Sequence, residues 1–231
     1  MQIGLFVDLF INKFMEISYL GHSSFKIKTK SATVITDPFD PKMVGLKYSG
    51  VEGDIVTVSH AHGDHNAADK VAGAKKVLEG PGEYEVMGVS LIGYPSFHDS
   101  KKGEERGKNT IFVIEAEGLR IAHLGDLGHV LSDDLVNELG SIDILMIPVG
   151  GVFTIGPKDA VEIVGKIDPY FIIPMHYAVP GLNADTFAEI GAVEPFLKEI
   201  GMTVENLPKL TLKREDILDD QSNKVVVLEK K

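Results

Sequence analysis

The hexapeptide His60-Ala61-His62-Gly63-Asp64-His65 constrains this chain more than any other stretch. It follows a continuous apolar run at residues 54–59 and precedes a short helical segment at 67–71. A buried strand that stops at such a turn can aim several imidazoles and a carboxylate at one point. Imidazole nitrogen and carboxylate oxygen suit zinc and neighbouring first-row metals. The chain has 8 histidines and no cysteine, so a metal has to be held by His, Asp or Glu. The lack of cysteine also removes a thiolate nucleophile and a disulfide framework.

Other candidate ligands end other apolar runs. His98 follows a strand at 89–94, Asp126 a strand at 120–124, and His176 a strand at 171–174. Each alone reads as an ordinary loop residue. Together they read as one edge of a sheet system. Further strands are expected at 17–20, 24–28, 33–36, 76–78, 110–116, 142–149, 204–207 and 225–228. Gly80-Pro81-Gly82 reads as the turn that joins 76–78 to 89–94, and Glu117-Gly118 as a hairpin turn. A helix is expected at 132–139, with Ser132 as its cap and Asp133 and Asp134 at its positive end. Pro157 opens another that runs to 166. Residues 184–200 read as mostly helical, interrupted at Gly191 and Pro195. Hairpins dominate the first half and strands alternate with helices in the second. That order predicts an α/β (α+β) fold with two packed sheets and helices outside them.

A length of 231 residues suits a single domain spanning 1–231. The net charge of −11 repels polyphosphate, which disfavours nucleic acid as a partner. No apolar run reaches the ~20 residues of a spanning helix, and Asp8 interrupts the apolar opening MQIGLFVDLFINKF. With no basic leader either, the expectation is a cytoplasmic protein without a membrane partner. Met15 opens a strand-like segment, so residues 1–14 read as an extension before an alternative start at Met15.

The order H-x-H-x-D-H, a later His, a Gly-Asp after a strand and a final His resembles the metallo-β-lactamase superfamily of metal-dependent hydrolases. Gly21-His22-Ser23-Ser24-Phe25, Thr36-Asp37-Pro38, Gly125-Asp126-Leu127-Gly128-His129, Pro148-Val149-Gly150-Gly151 and Pro174-Met175-His176-Tyr177 resemble its ascorbate-6-phosphate-lactonase-like branch. The resemblance implies a four-layer αββα sandwich. It also implies two divalent metal ions, zinc first, with manganese or iron able to replace it. His60, His62 and His98 would hold one ion, Asp64, His65 and His176 the other, and Asp126 would bridge them. Asp37 would support the His-rich turn by hydrogen bonds. A metal-bound hydroxide would attack a small anionic ester, a lactone or a phosphodiester, with Asp64 orienting the water and carrying a proton. His62 stands where the di-iron flavoprotein relatives carry Glu, which disfavours oxygen or nitric oxide reduction. The resemblance allows a homo-oligomer.

Three further histidines and a tyrosine complete the candidates. His22 reads as a substrate contact or a support beside the metals, and Tyr177 as a substrate contact or a packing residue. His123 reads as a buried core histidine, and His129 as a substrate contact or a solvent-facing residue. Residues 38–53 carry Phe39, Met43, Leu46 and Tyr48 as a cleft wall or an oligomer contact. Residues 99–108 carry Lys101, Lys102, Arg106 and Lys108, which either attract an anion or face solvent. Two alternatives stay open beside the small-ester hydrolase: a nuclease of the same superfamily, and a non-catalytic metal-binding scaffold.

Overall fold

Strand after strand stops at the same end of the molecule, which is where the His-rich turn lies. The computed structural model describes residues 14–217 and 223–231. The extension expected at 1–14 lies outside the described residues except for Phe14. The strands run β1 Met15–Gly21, β2 Ser24–Lys28, β3 Thr33–Thr36, β4 Ile55–Val58 and β5 Lys76–Glu79. Then follow β6 Gly82–Val86, β7 Val89–Phe97, β8 Lys108–Ala116, β9 Leu119–His123, β10 Ile144–Pro148 and β11 Phe171–Met175. The last are β12 Thr203–Leu207, β13 Leu210–Leu212 and β14 Lys224–Leu228. One sheet has the order β13-β1-β2-β3-β4-β5, the other β12-β14-β11-β10-β9-β8-β7-β6.

The burial pattern of each strand follows its place. β4, β10 and β11 are parallel central strands buried at every residue, as continuous Ile, Val, Leu and Met runs require. Tyr19, Phe25 and Ile27 of the first sheet meet Phe112, Met146 and Ile173 of the second in a core between the sheets. The helices are α1 Pro41–Val44, α2 Asp133–Leu139, α3 Pro157–Ile167, α4 Ala184–Phe187 and α5 Glu194–Ile200. Ala160 and Ile163 of α3 and Phe196 of α5 cover the outer face of the second sheet against Leu145 and Ile172. The outer face of the first sheet is covered less regularly. Phe39, Val44, Leu46 and Tyr48 from residues 38–53, with Phe187 of α4, lie on Ile35, Val56 and Val58.

Those loop residues therefore serve as a core layer, where the sequence suggested a cleft wall or an oligomer contact. Phe39 is fully buried, and Met43 is half-buried. Gly82 does not simply close a turn. It starts β6, which pairs antiparallel with β7 through a second turn at Met87-Gly88, both at positive φ. Its sequence, GEYEV, puts two glutamates on an edge strand, where water solvates them, so the propensity signal was weak. Pro195 sits in the first turn of α5 and opens that helix, so residues 184–200 form two short helices. β13 and α1 are both too short for a periodic signal; Asp40 caps α1 by accepting from the Lys42 N–H at 2.8 Å. Among the described residues no helix is long and apolar enough to cross a membrane.

Phe112 is fully buried on β8 in the core between the sheets. Its replacement by alanine is expected to destabilise the protein by about 3–5 kcal/mol, read as a lower denaturant midpoint at unchanged slope.

Candidate metal centre

Asp37 closes β3 and reaches across to the chain that leaves β4. Its Oδ1 accepts from the Ser59 backbone N–H at 2.8 Å, and its Oδ2 from Ser59 Oγ–H at 2.6 Å. The same Oδ2 lies 2.9 Å from His65 Nδ1. Burial alone would raise this carboxyl, but the His65 hydrogen bond and the nearby His123 and His60 hold it below its ordinary value. An ionised carboxylate only accepts, so His65 donates from Nδ1, and Nε2 is the nitrogen turned toward the cluster. Ser59 spends its proton on Asp37, so its oxygen accepts from His60 Nδ1 at 2.9 Å. One carboxylate thus sets the tautomers of two imidazoles and leaves both Nε2 atoms free to bind a cation.

Those nitrogens meet a second carboxylate. Asp126 Oδ2 lies 3.1 Å from His65 Nε2, 3.3 Å from His98 Nε2, 3.3 Å from His176 Nε2 and 3.8 Å from His60 Nε2. Two groups of candidate ligand atoms flank it. His60, His62 and His98 form one, with His60 Nε2 and His62 Nδ1 3.0 Å apart. His22, Asp64, His65 and His176 form the other. Within each group the ligand atoms all lie within 4.8 Å of one another. Buried His65 Nε2, His176 Nε2 and Asp126 Oδ1 have no hydrogen-bond partner. Orphaned buried polar atoms are costly, and here a shared cation would satisfy all three. The donor set, nitrogen and carboxylate oxygen without sulfur, fits a divalent first-row metal.

The electrostatics agree. Burial pushes His60 down to about 3, with His65 adding to the effect. Burial and the neighbouring His176 push His22 down to about 4. Both are neutral at pH 7. For Asp126 burial works upward, but His176 and His65 outweigh it and hold the carboxyl well below its usual range. For Asp64 burial is outweighed by His65 and His22 in the same way. His65 is driven well above its usual range by Asp126 and Asp64 despite full burial. The two carboxylates call for positive charge between them, which either a proton on His65 or a divalent cation supplies.

The structure brings all seven sequence-predicted ligands together, with Asp37 beneath them. His22 lies within the cluster. It is fully buried and its Nε2 lies 3.1 Å from Asp64 Oδ2, inside the second ligand group. Tyr177 is also buried and stacks on Tyr19 at 6.4 Å between ring centroids, which makes it a packing residue. His123 is a buried core histidine as expected, lying 2.8 Å from the Ser23 carbonyl. His129 accepts from the Phe97 N–H at 3.3 Å and so pins the end of β7.

The sequence reading missed several supports. Ser59 links Asp37 to His60, and nothing but its place before His60 marks it. Asn109 accepts from the Asp126 N–H at 3.0 Å and donates to the Leu124 carbonyl at 2.9 Å, which fixes the Asp126 turn. Gly128 lies against the backbone of His98; a Cβ there would sit 2.3 Å from the His98 carbonyl carbon. That close approach presents His98 to the cluster and excludes every other residue type.

Residues 16–176 match the family described as the beta-lactamase superfamily domain. A metal-dependent hydrolase of Thermococcus onnurineus is 33% identical, with 89% of this chain and 99% of that protein covered. A metal-dependent hydrolase of Pyrococcus abyssi is 32% identical over 74% of this chain and 88% of its own length. Among solved structures, a Thermotoga maritima protein provisionally described as a Zn-dependent hydrolase of the metallo-beta-lactamase superfamily is 39% identical. It superposes with a TM-score of 0.74 over 93% of this chain and 98% of its own. The chain belongs to the metallo-β-lactamase superfamily of metal-dependent hydrolases. Igni18, a metallo hydrolase of Ignicoccus hospitalis, shares the fold at 21% identity, with a TM-score of 0.64 over 81% of this chain and 91% of that one. The two-sheet architecture described above is the fold of this superfamily.

Asp37→Asn removes the acceptor that orders both His60 and His65 while leaving every candidate ligand in place. It is expected to weaken metal binding by about 10–100-fold, as loss of a ligand-orienting partner does. Competition with a chelator of known affinity reads this directly. Metal loading of the native chain at pH 7 is expected to release about one proton, because the cation replaces the proton on His65. Calorimetry in two buffers of different ionisation enthalpy counts it.

Proposed function

We propose that the chain is a binuclear zinc hydrolase acting on a small anionic ester, with lactones and phosphodiesters as the leading substrates. The observation that carries this reading is the placement of Asp126 Oδ2 between two groups of ligand atoms, with four imidazole nitrogens 3.1–3.8 Å from it. In this reading His60, His62 and His98 hold one ion, Asp64, His65 and His176 the other, and Asp126 both. Manganese or iron would suit the same nitrogen and oxygen donors. The likeness of the Gly21–Phe25 and Pro174–Tyr177 segments to the ascorbate-6-phosphate-lactonase-like branch favours the lactone. The chain acts as one domain, in the cytoplasm.

A bound pair of divalent cations supplies Lewis acidity and lowers the pKa of water toward neutrality. The chain's own residues do the rest. Asp37 keeps His60 and His65 in the tautomers that offer Nε2. His22 anchors Asp64 through Oδ2, which leaves Oδ1 to accept a proton from the attacking water and return it to the leaving group. Because His65 and His22 hold Asp64 far below its usual range, it is ionised at working pH and available to accept a hydrogen bond from the water. The buried floor beneath the cluster excludes bulk water and strengthens each of these interactions.

The test is a panel of phosphodiesters, lactones and thioesters, offered to protein reconstituted with zinc or with manganese. Asp64→Ala and His176→Ala are expected to lose turnover of the favoured class by at least about 100-fold, the lower scale of one acid–base group. Metal at about 100 times its dissociation constant is expected to stabilise the chelator-treated chain by about 2.7 kcal/mol, read in the thermal midpoint. Stabilisation of one ion's stoichiometry only would overturn the binuclear reading. No bound metal would overturn the hydrolase mechanism.

A further inference from the structure

Beside the turn that carries His60 and His62 lies a cavity of about 790 Å³. It opens between the ends of β4 and β5 on one sheet and of β7 and β8 on the other. This volume falls within the ~300–1,000 Å³ of small-molecule sites. Its wall is mostly apolar, with Val58, Ala61, Pro81, Pro95 and Phe97 prominent. Two cationic side chains, Arg106 and Lys108, also line it, with one carboxylate, Glu79, at the end of β5.

The two cations differ from Lys101 of the same segment. Lys101 is neutralised by Glu105 at 2.6 Å. Among the described residues no carboxylate pairs with Arg106 or Lys108. Arg106 is instead held at the rim by neutral groups. Its guanidinium lies over the Phe153 ring, 5.1 Å from the centroid, and Nη2 donates to the Val152 carbonyl at 3.4 Å. Such contacts fix the side chain and leave its charge uncompensated. The loop below is anchored as well. Asp99 accepts from the backbone N–H groups of Lys101, Gly103, Glu105 and Arg106 at 2.8–3.1 Å, so Arg106 is presented by a rigid turn. Val152 holds φ at 61°, an uncommon conformation for a β-branched residue, and is half-exposed. Strain of that kind collects at ligand-binding rims.

We propose that this cavity seats the substrate's apolar body and that Arg106, seconded by Lys108, binds an anionic group carried apart from the bond to be cleaved. The substrate class is then an ester or lactone with an apolar body and a separate anionic group. This rests on the reading of the metal centre as the place of hydrolysis, because His60 and His62 form one wall of the same cavity. On a chain of net charge −11, an unpaired Arg at the mouth is a local attraction that steers an anion to the metals.

Binding is measured by calorimetry on the metal-reconstituted protein with three unreactive probes: octanoate, octan-1-ol and acetate. Octanoate is expected to bind at least tenfold more tightly than either of the others, because it alone has both features. Arg106→Gln is expected to weaken octanoate about tenfold and leave octan-1-ol unchanged, and Arg106→Lys to restore part of the loss. In parallel, turnover of 4-nitrophenyl hydrogen suberate and of 4-nitrophenyl acetate is compared. Arg106→Gln is expected to raise KM for the anionic ester about tenfold, with kcat and the neutral ester unaffected. Octanoate binding that ignores Arg106, or that acetate matches, overturns the proposal whatever the turnover. Arg106-dependent octanoate binding with no hydrolysis of either ester supports the cavity assignment and counts against the hydrolase reading alone.

Discussion

The carboxylate of Asp37 is the interaction on which the rest of this site depends. It is fully buried, yet it accepts three hydrogen bonds, from the Ser59 N–H, the Ser59 hydroxyl and His65. Those bonds tie the end of β3 to the turn after β4, so the two parallel strands cannot shift without breaking all of them. A buried charge of this kind is tolerable because both of its oxygens are hydrogen-bonded. The same bonds propagate outward. Ser59 passes the order to His60, and His65 passes it to Asp126 and Asp64. The protonation pattern of the whole cluster therefore starts from one residue that lies beneath it and contacts His65 at the nitrogen facing away from Asp126.

That order is bought with backbone strain at its margins. His22, Asp37 and His176 all hold positive φ, of 57°, 38° and 51°. Each such residue costs about 1–3 kcal/mol where the surroundings enforce it. The enforcing contacts are visible. The His176 N–H donates to the His22 carbonyl at 2.9 Å, and Tyr19 OH donates to that same carbonyl at 2.9 Å. The Asp37 N–H donates to the Thr57 carbonyl at 2.8 Å. Three strand ends from both sheets are thus bent toward one point and locked there by backbone bonds. Such preorganisation leaves little for a metal to rearrange.

The legible part of this structure is the part where chemistry and periodicity coincide. The turn 60–65 stood out because four ligand-type side chains follow a buried run. His98, Asp126 and His176 were readable because each ends an apolar strand, and the structure delivers each to the cluster. The supports were less visible for a physical reason. Asn109 and Gly128 act through contacts that bring together residues far apart in sequence, Asn109 with Asp126 and Gly128 with His98. No local pattern encodes such a contact. His22 reads as a substrate contact or a support beside the metals, and sequence alone cannot show that Phe39 and Phe187 pack against its buried ring. The loop 38–53 suggested a cleft wall or an oligomer contact, yet the first sheet has few helices to cover it and takes the loop's apolar residues as its outer layer.

These two halves of the site answer to different constraints. The ligand cluster sits at strand ends, buried except at His62, where a shift of one residue would turn every side chain away. The rim that carries Arg106 hangs on a turn held by Asp99 and on a ring contact with Phe153. It can change without disturbing Asp37 or Asp126, because none of its bonds runs through them. Chemistry is therefore fixed by the strand ends and selectivity by the loops between them. A chain built this way keeps one reaction while its substrate is set by a handful of rim residues, and here the rim offers an uncompensated positive charge beside an apolar wall.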